Sequence, residues 1–216
     1  MAYQGAVTVG GPADTRELAE LTITKVAVGP MSNNAYLLRC RQTGEQLLID
    51  AANEADTLLK LVGDQLASVV TTHRHGDHWQ ALAEVVAATG ARTLAGQYDA
   101  EAVPVATDVP VADGDEIRVG RCALTAIHLV GHTPGSIALL YRDPTGHPHL
   151  FTGDCLFPGG VGKTPEPAAF DSLLAGVETK LFGVLPDETW VYPGHGDDTT
   201  LGAERPKLAE WRERGW

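Results

Sequence analysis

The chain has 216 residues, with 16 Lys and Arg against 28 Asp and Glu, a net charge of −12, and 44% apolar residues. This length supports one large domain whose core needs no disulfides, and the three cysteines (Cys40, Cys122, Cys155) lack CxxC spacing, which argues against a disulfide framework or a cysteine zinc knuckle. No stretch approaches the ~20 apolar residues of a membrane span, the start lacks a signal-peptide pattern and points to the cytoplasm, and acidic balance without a Lys/Arg cluster disfavours nucleic acid as a partner.

Residues 1–20 are polar and Gly-rich and read as a loose N-terminal arm, with a single domain over 21–216. Segments 21–30 and 34–40 alternate in the β manner around a turn at Gly29–Asn34, and 45–51 is a short strand ending at Asp50. Apolar spacing predicts a helix over 54–63 that stops at Gly63. Residues 66–73 form a continuous apolar run of strand length, the mark of a strand buried on both faces. A helix over about 77–89 follows, then a strand at 92–96 and a short helix at 97–103. From 109 to 153 the chain is β-rich. A helix over about 167–182, a strand at 189–195 and a last helix near 203–213 complete it. Strands in two groups with helices between and after them predict a layered α/β sandwich.

The informative segment is Thr72-His73-Arg74-His75-Gly76-Asp77-His78. At this chain's composition, His-x-His-x-Asp-His arises by chance in about one sequence in a thousand. In an extended segment residues i and i+2 project to one side, so His73 and His75 can converge on one ion. Asp77 and His78, where the chain turns, can face a second. Imidazole with carboxylate suits zinc first, with iron or manganese as alternatives. His132, Asp154 and His195 each lie where a β run enters a Gly-rich loop, bringing the candidate ligands to the seven that two ions need.

THRHGDH, GHTPGS, FTGD and PGHG, in this order over about residues 21–200, resemble the metallo-β-lactamase superfamily, and in particular its glyoxalase II-like branch. The resemblance implies a four-layer αββα sandwich. It implies one ion on His73, His75 and His132, a second on Asp77, His78 and His195, and Asp154 bridging both. Asp50 matches a family position from which a ligand histidine is oriented. Lys163, after a glycine run, matches a position that contacts an anionic group of the substrate. The implied chemistry is hydrolysis of a thioester by a hydroxide held between two divalent ions, with Asp77 as the catalytic carboxylate that orients it or takes its proton. No Ser nucleophile is required, and no GxSxG is present.

The chain ends soon after His195 without the helical domain of full-length glyoxalase II, which leaves the thiol open. The expected partner is a small-molecule thioester or ester, and the chain is expected to be a monomer or homodimer. Alternatives within the fold are a mononuclear-iron persulfide dioxygenase and a lactonase or β-lactamase-type hydrolase; outside catalysis, a metal- or partner-binding relative remains. Of the other histidines, His147 and His149 read as exposed, and His128 as packed near the site. Cys40 and Cys122 read as small buried residues, and Trp211 as core packing in the last helix.

Overall fold

The computed structural model describes residues 3–215. Seven strands pair in chain order into one sheet: β1 (Asp14–Glu17), β2 (Leu21–Val28), β3 (Asn33–Cys40), β4 (Gln46–Ile49), β5 (Leu66–Thr71), β6 (Arg92–Gly96) and β7 (Val109–Val111). Pairing is antiparallel from β1 to β4 and parallel from β4 to β7. Parallel neighbours need crossover connections, and α1 (Ala55–Val62) and α2 (Leu82–Thr89) supply the first two. The second sheet contains β8 (Glu116–Val119), β9 (Cys122–His128), β10 (Ile137–Arg142) and β11 (Pro148–Gly153) in sequence. A short ribbon, β12 (Leu156–Phe157) with β13 (Gly160–Val161), and α3 (Pro167–Val177) follow. β14 (Trp190–Pro193) then joins β11 in parallel, and β15 (Thr199–Thr200) pairs with β14 at the edge. α4 (Leu201–Glu204) and α5 (Leu208–Arg214) come last.

The layers follow from side-chain alternation. On β3, Tyr36, Leu38 and Cys40 point between the sheets, where they meet Leu124, Leu139, Phe151 and Tyr192 of the second sheet. Ala35 and Leu37 point the other way, onto Leu58 of α1 and Leu82 and Val85 of α2. The second sheet covers its outer face in the same manner, with Leu140, Leu150 and Val191 against Phe170, Leu173 and Val177 of α3 and the fully buried Trp211. Each sheet is therefore apolar on both faces, which explains the unbroken apolar runs. This is the αββα sandwich, with Trp211, Cys40 and Cys122 buried as expected.

Four expectations need correction. Residues 14–17, read as part of the loose arm, form edge strand β1 against β2; polar alternation on an exposed edge gives no apolar signal to find. The helix over 77–89 is broken. A single 3-10 turn spans Gly76–His78 and α2 starts at Leu82, which lets Asp77 and His78 turn inward instead of continuing along a helix face. The last helix is likewise split by a 3-10 turn at Arg205–Lys207, where Pro206 lacks the N–H that a continuous helix requires. His149 is fully buried, its Nδ1 2.8 Å from the Tyr192 hydroxyl, because it lies on β11 facing the inter-sheet core rather than in the hairpin turn. No helix among the described residues is long and apolar enough to cross a membrane.

Candidate metal centre

The seven predicted ligands converge at one edge of the sandwich. His73 and His75 leave β5 of the first sheet, and Asp77 and His78 lie in the 3-10 turn that follows. His132, Asp154 and His195 leave β9, β11 and β14 of the second sheet. The two sheets are stitched together here: Ile137 N–H donates to Thr72 O at 3.0 Å, and Asn34 N–H donates to Gly194 O at 2.7 Å.

Donor atoms from these residues form close triplets: His73 with His75 and His132, His73 with His78 and Asp154, and Asp77 with His78 and His195. His73 Nε2 lies 3.0 Å from His75 Nδ1 and 3.2 Å from His132 Nε2. His78 Nε2 lies 3.4 Å from both Asp77 Oδ2 and Asp154 Oδ1, and His195 Nε2 lies 3.3 Å from Asp77 Oδ2. Asp154 reaches both halves, with Oδ2 at 3.7 Å from His132 Nε2 and 3.6 Å from His195 Nε2.

The outer nitrogens show which way each ring is set. His132 Nδ1–H donates to Lys163 O at 2.7 Å, and His195 Nδ1–H to Met31 O at 3.1 Å. His78 Nδ1–H donates to Asp50 Oδ2 at 2.8 Å. A carbonyl or carboxylate oxygen only accepts, so each of these rings spends its Nδ1–H outside and presents Nε2 inward, where it can bind a metal ion or a proton. Ring nitrogens facing one another at such distances call for a cation between them. His78 Nε2 and Asp154 Oδ1 are also buried without a hydrogen-bond partner among the described residues, which natural interiors rarely leave so. Gly194 permits this closeness, since a Cβ there would lie 2.2 Å from Asp154 Oδ1. The site fits a pair of divalent cations.

Electrostatics agree. Burial acts to lower the basicity of His78, but the Asp50 and Asp154 carboxylates outweigh it and push its pKa up to about 10. Burial acts to raise Asp154, and the His195, His78 and His73 rings beside it hold it well below the usual carboxylate range. Burial likewise opposes ionisation of Asp77, yet the Asn33 hydrogen bond and His78 keep its pKa low. The carboxylates draw positive charge to the His78 side, while burial first and the neighbouring rings next push His73 and His132 down and keep these imidazoles neutral.

Asp50 lies behind His78, one of the predicted ligands. Its carboxylate accepts from Thr72 N–H at 2.7 Å, Thr72 Oγ1 at 2.8 Å and His78 Nδ1, and these bonds hold a left-handed backbone (φ 60°) that a non-glycine residue adopts only under constraint. Lys163 is exposed and lines a depression of about 280 Å³ with Arg74, His75, His132, Thr164 and Pro165. Its backbone carbonyl, not foreseen, holds His132. Two further residues escaped the sequence reading. Asn33, taken as part of a turn, donates from Nδ2 to Asp77 Oδ2 at 2.8 Å and lies 3.3 Å from His195 Nε2. Asp99 carried no motif at all. His128 lies one layer back, with Nε2–H donating to Pro134 O at 2.7 Å and the ring stacked on Tyr98.

The sequence profile of the Metallo-beta-lactamase superfamily matches residues 28–195, a span that contains every residue of the cluster. The chain belongs to this superfamily. A hydroxyacylglutathione hydrolase from Polaromonas sp. (strain JS666 / ATCC BAA-500) is 39% identical over 166 residues, covering 76% of this chain and 62% of the relative. The chain thus spans less than two thirds of that relative's length. Among solved structures similar to this chain, TTHA1623 in a di-iron-bound form is 33% identical with a TM-score of 0.69, covering 84% of this chain and 96% of its own. ETHE1 from Myxococcus xanthus is 29% identical with a TM-score of 0.74, covering 87% and 84%.

Proposed function

We propose that the chain is a metal-dependent hydrolase that cleaves a thioester, with one ion held by His73, His75 and His132, a second by Asp77, His78 and His195, and Asp154 shared. The observation that carries this reading is the set of inward-facing donor atoms grouped in close triplets, with His78 Nε2 and Asp154 Oδ1 lacking a hydrogen-bond partner among the described residues and Asp154 lying between the two halves. The likeness to hydroxyacylglutathione hydrolases at 33–39% identity supports the thioester as substrate. When bound, two such ions acidify a water toward neutral pH and polarise the scissile carbonyl.

The protein groups do the rest. Asp50 and the carbonyls of Lys163 and Met31 fix the rings of His78, His132 and His195, so each Nε2 is preset for its task. Asp77, kept ionised by Asn33, is the carboxylate that orients the attacking water or accepts its proton. The Lys163 ammonium, on the wall of the depression beside His132, anchors an anionic group of the substrate.

A second reading has support in one feature: the His73–His75–His132 triplet is complete by itself and includes the exposed His75. A mononuclear-iron persulfide dioxygenase would use His73, His75 and a third group and leave the second site empty. Elemental analysis of the purified protein, paired with hydrolysis of S-lactoylglutathione, separates the two. About two ions per chain with thioester turnover is the expected result. One iron, with oxygen uptake on a thiol persulfide, would replace the hydrolase by the dioxygenase.

A further inference from the structure

Asp99 belongs to neither ligand triplet, yet it is fully buried a few residues after β6 and touches both loops that carry the three-histidine half. Its Oδ2 accepts from the Arg74 backbone N–H at 3.0 Å and from Thr133 Oγ1 at 2.5 Å. Its Oδ1 accepts from the Gly135 backbone N–H at 3.0 Å, with Arg74 Nε 3.8 Å away. Arg74 lies between His73 and His75, and Thr133 follows His132. One carboxylate therefore joins a loop of the first sheet to a loop of the second, with the Arg74 and Thr133 bonds falling next to predicted ligands and the Gly135 bond three residues beyond His132.

The packing around it leaves little slack. A Cβ on Gly135 would lie 2.3 Å from the Asp99 nitrogen, and a Cβ on Gly96 would lie 2.0 Å from Gly135 O. The other triplet is held by different groups: Asn33 on Asp77, Asp50 on His78 and the Met31 carbonyl on His195. Asp50 also reaches the first half through Thr72, whose Oγ1 lies 3.1 Å from His73 Nδ1, whereas the hydrogen bonds of the Asp99 carboxylate all go to the loops of the three-histidine half.

We propose that Asp99 is a positioning residue that sets the metal affinity of the His73–His75–His132 triplet independently of the Asp77–His78–His195 triplet. The inference rests on the two-metal reading above. Hydrogen bonds to a buried carboxylate are charge-assisted, short and costly to lose, and loops that carry ligands keep their geometry only as well as they are tied. An amide cannot substitute here. Asparagine offers one acceptor oxygen, and its NH2 would face either the Arg74 N–H and Thr133 hydroxyl or the Gly135 N–H, so one arm of the clamp opens whichever way it turns.

The test is Zn²⁺ titration of the metal-stripped full chain against a chromophoric chelator, in two backgrounds. His195→Ala leaves the three-histidine half to be titrated, and His132→Ala leaves the other. Asp99→Asn is expected to weaken zinc about 10- to 100-fold in the first background, the size typical for supports behind a ligand, and to leave the second unchanged. Thr133→Val, which removes one hydroxyl from the clamp, shifts affinity in the same direction by less, and it carries the test if Asp99→Asn does not fold. Equal losses in both backgrounds, or a lower unfolding temperature with both affinities intact, would overturn the proposal and leave Asp99 as a general structural residue. Failure of the unsubstituted protein to bind two ions would overturn the two-metal reading, and this proposal with it.

Discussion

Two buried polar clusters meet at the loop after β14, and they are built on opposite rules. In one, the fully buried Lys25 donates its three N–H groups to Gly5 O at 2.6 Å, Gly196 O at 2.7 Å and Asp198 Oδ1 at 2.7 Å. Asp198 Oδ2 in turn accepts from Tyr3 Oη at 2.7 Å and Trp190 Nε1 at 2.8 Å. Every donor of the ammonium has an acceptor, and the charges cancel. In the other, starting one residue earlier at His195, three carboxylates (Asp50, Asp77, Asp154) face histidines that crowd their inward ring nitrogens together, and His78 Nε2 and Asp154 Oδ1 have no partner among the described residues. Low dielectric strengthens a completed network and penalises an incomplete one. The first cluster is complete as chain; the second is complete only with cations. Burial of charge alone would not have told them apart.

The largest effect that tests this contrast comes from Asp154, the one carboxylate within reach of both halves. Asp154→Ala should reduce bound metal below two per chain and lower thioester turnover by well over about a hundredfold, since even groups behind a ligand cost 10- to 100-fold. Metal content and initial rates measured on the same sample check it; full turnover with depleted metal would break the proposed mechanism.

Lys25→Met should do the reverse, harming stability and sparing metal. Removing one partner of a buried ion pair costs about 3–5 kcal/mol because the other charge is stranded. Urea denaturation should show a loss of that order, with two ions still bound by the folded fraction. Burial already pushes the Asp198 carboxyl up against the pull of Lys25, so Asp198→Asn in the Lys25→Met background, which removes the stranded charge, should recover part of the loss. Loss of metal in Lys25→Met would mean the two clusters are one unit.

Asn33→Ala should lower turnover by about tenfold with metal retained, because it removes the donor that orients the Asp77 carboxylate while leaving every ligand in place. A KM change at constant kcat would instead assign Asn33 to substrate binding.

The contrast also explains what could be read from the sequence. The candidate ligands were legible because four of them sit within six positions and the rest adjoin glycine turns, so local spacing carries the signal. Both sheets were legible in their long apolar strands. Lys25 and Asp198 are 173 positions apart, and Asn33 and Asp77 are 44 apart; such pairings leave no periodic trace. Asp99 resembles any aspartate at a turn until the loops of both sheets are seen to meet on it. Strand β1 was missed for a related reason: its exposed face offers nothing for apolar pattern to report.

The smallest predicted effect turns on a histidine kept neutral without a metal. His149 lies in the inter-sheet core beside His147 and Tyr192, and burial, helped by the charge of Arg16 and by His147, holds its pKa down at about 3. The unfolded chain binds a proton on this ring near pH 6.5 and the folded chain does not, so protonation favours unfolding as pH falls below 6.5. Each pH unit down from there toward 3 costs up to about 1.4 kcal/mol, and above 6.5 the group contributes no pH dependence. The five site histidines and their carboxylates would mask this in the loaded protein, so the comparison belongs in metal-stripped wild type against metal-stripped His149→Gln, where the site is the same in both. Stability of the variant should fall less steeply between pH 6.5 and 5. Parallel curves would show that His149 takes up its proton while folded, and that the core around Tyr192 tolerates a charge that the Lys25 cluster has to neutralise within the chain and the ligand cluster meets with cations.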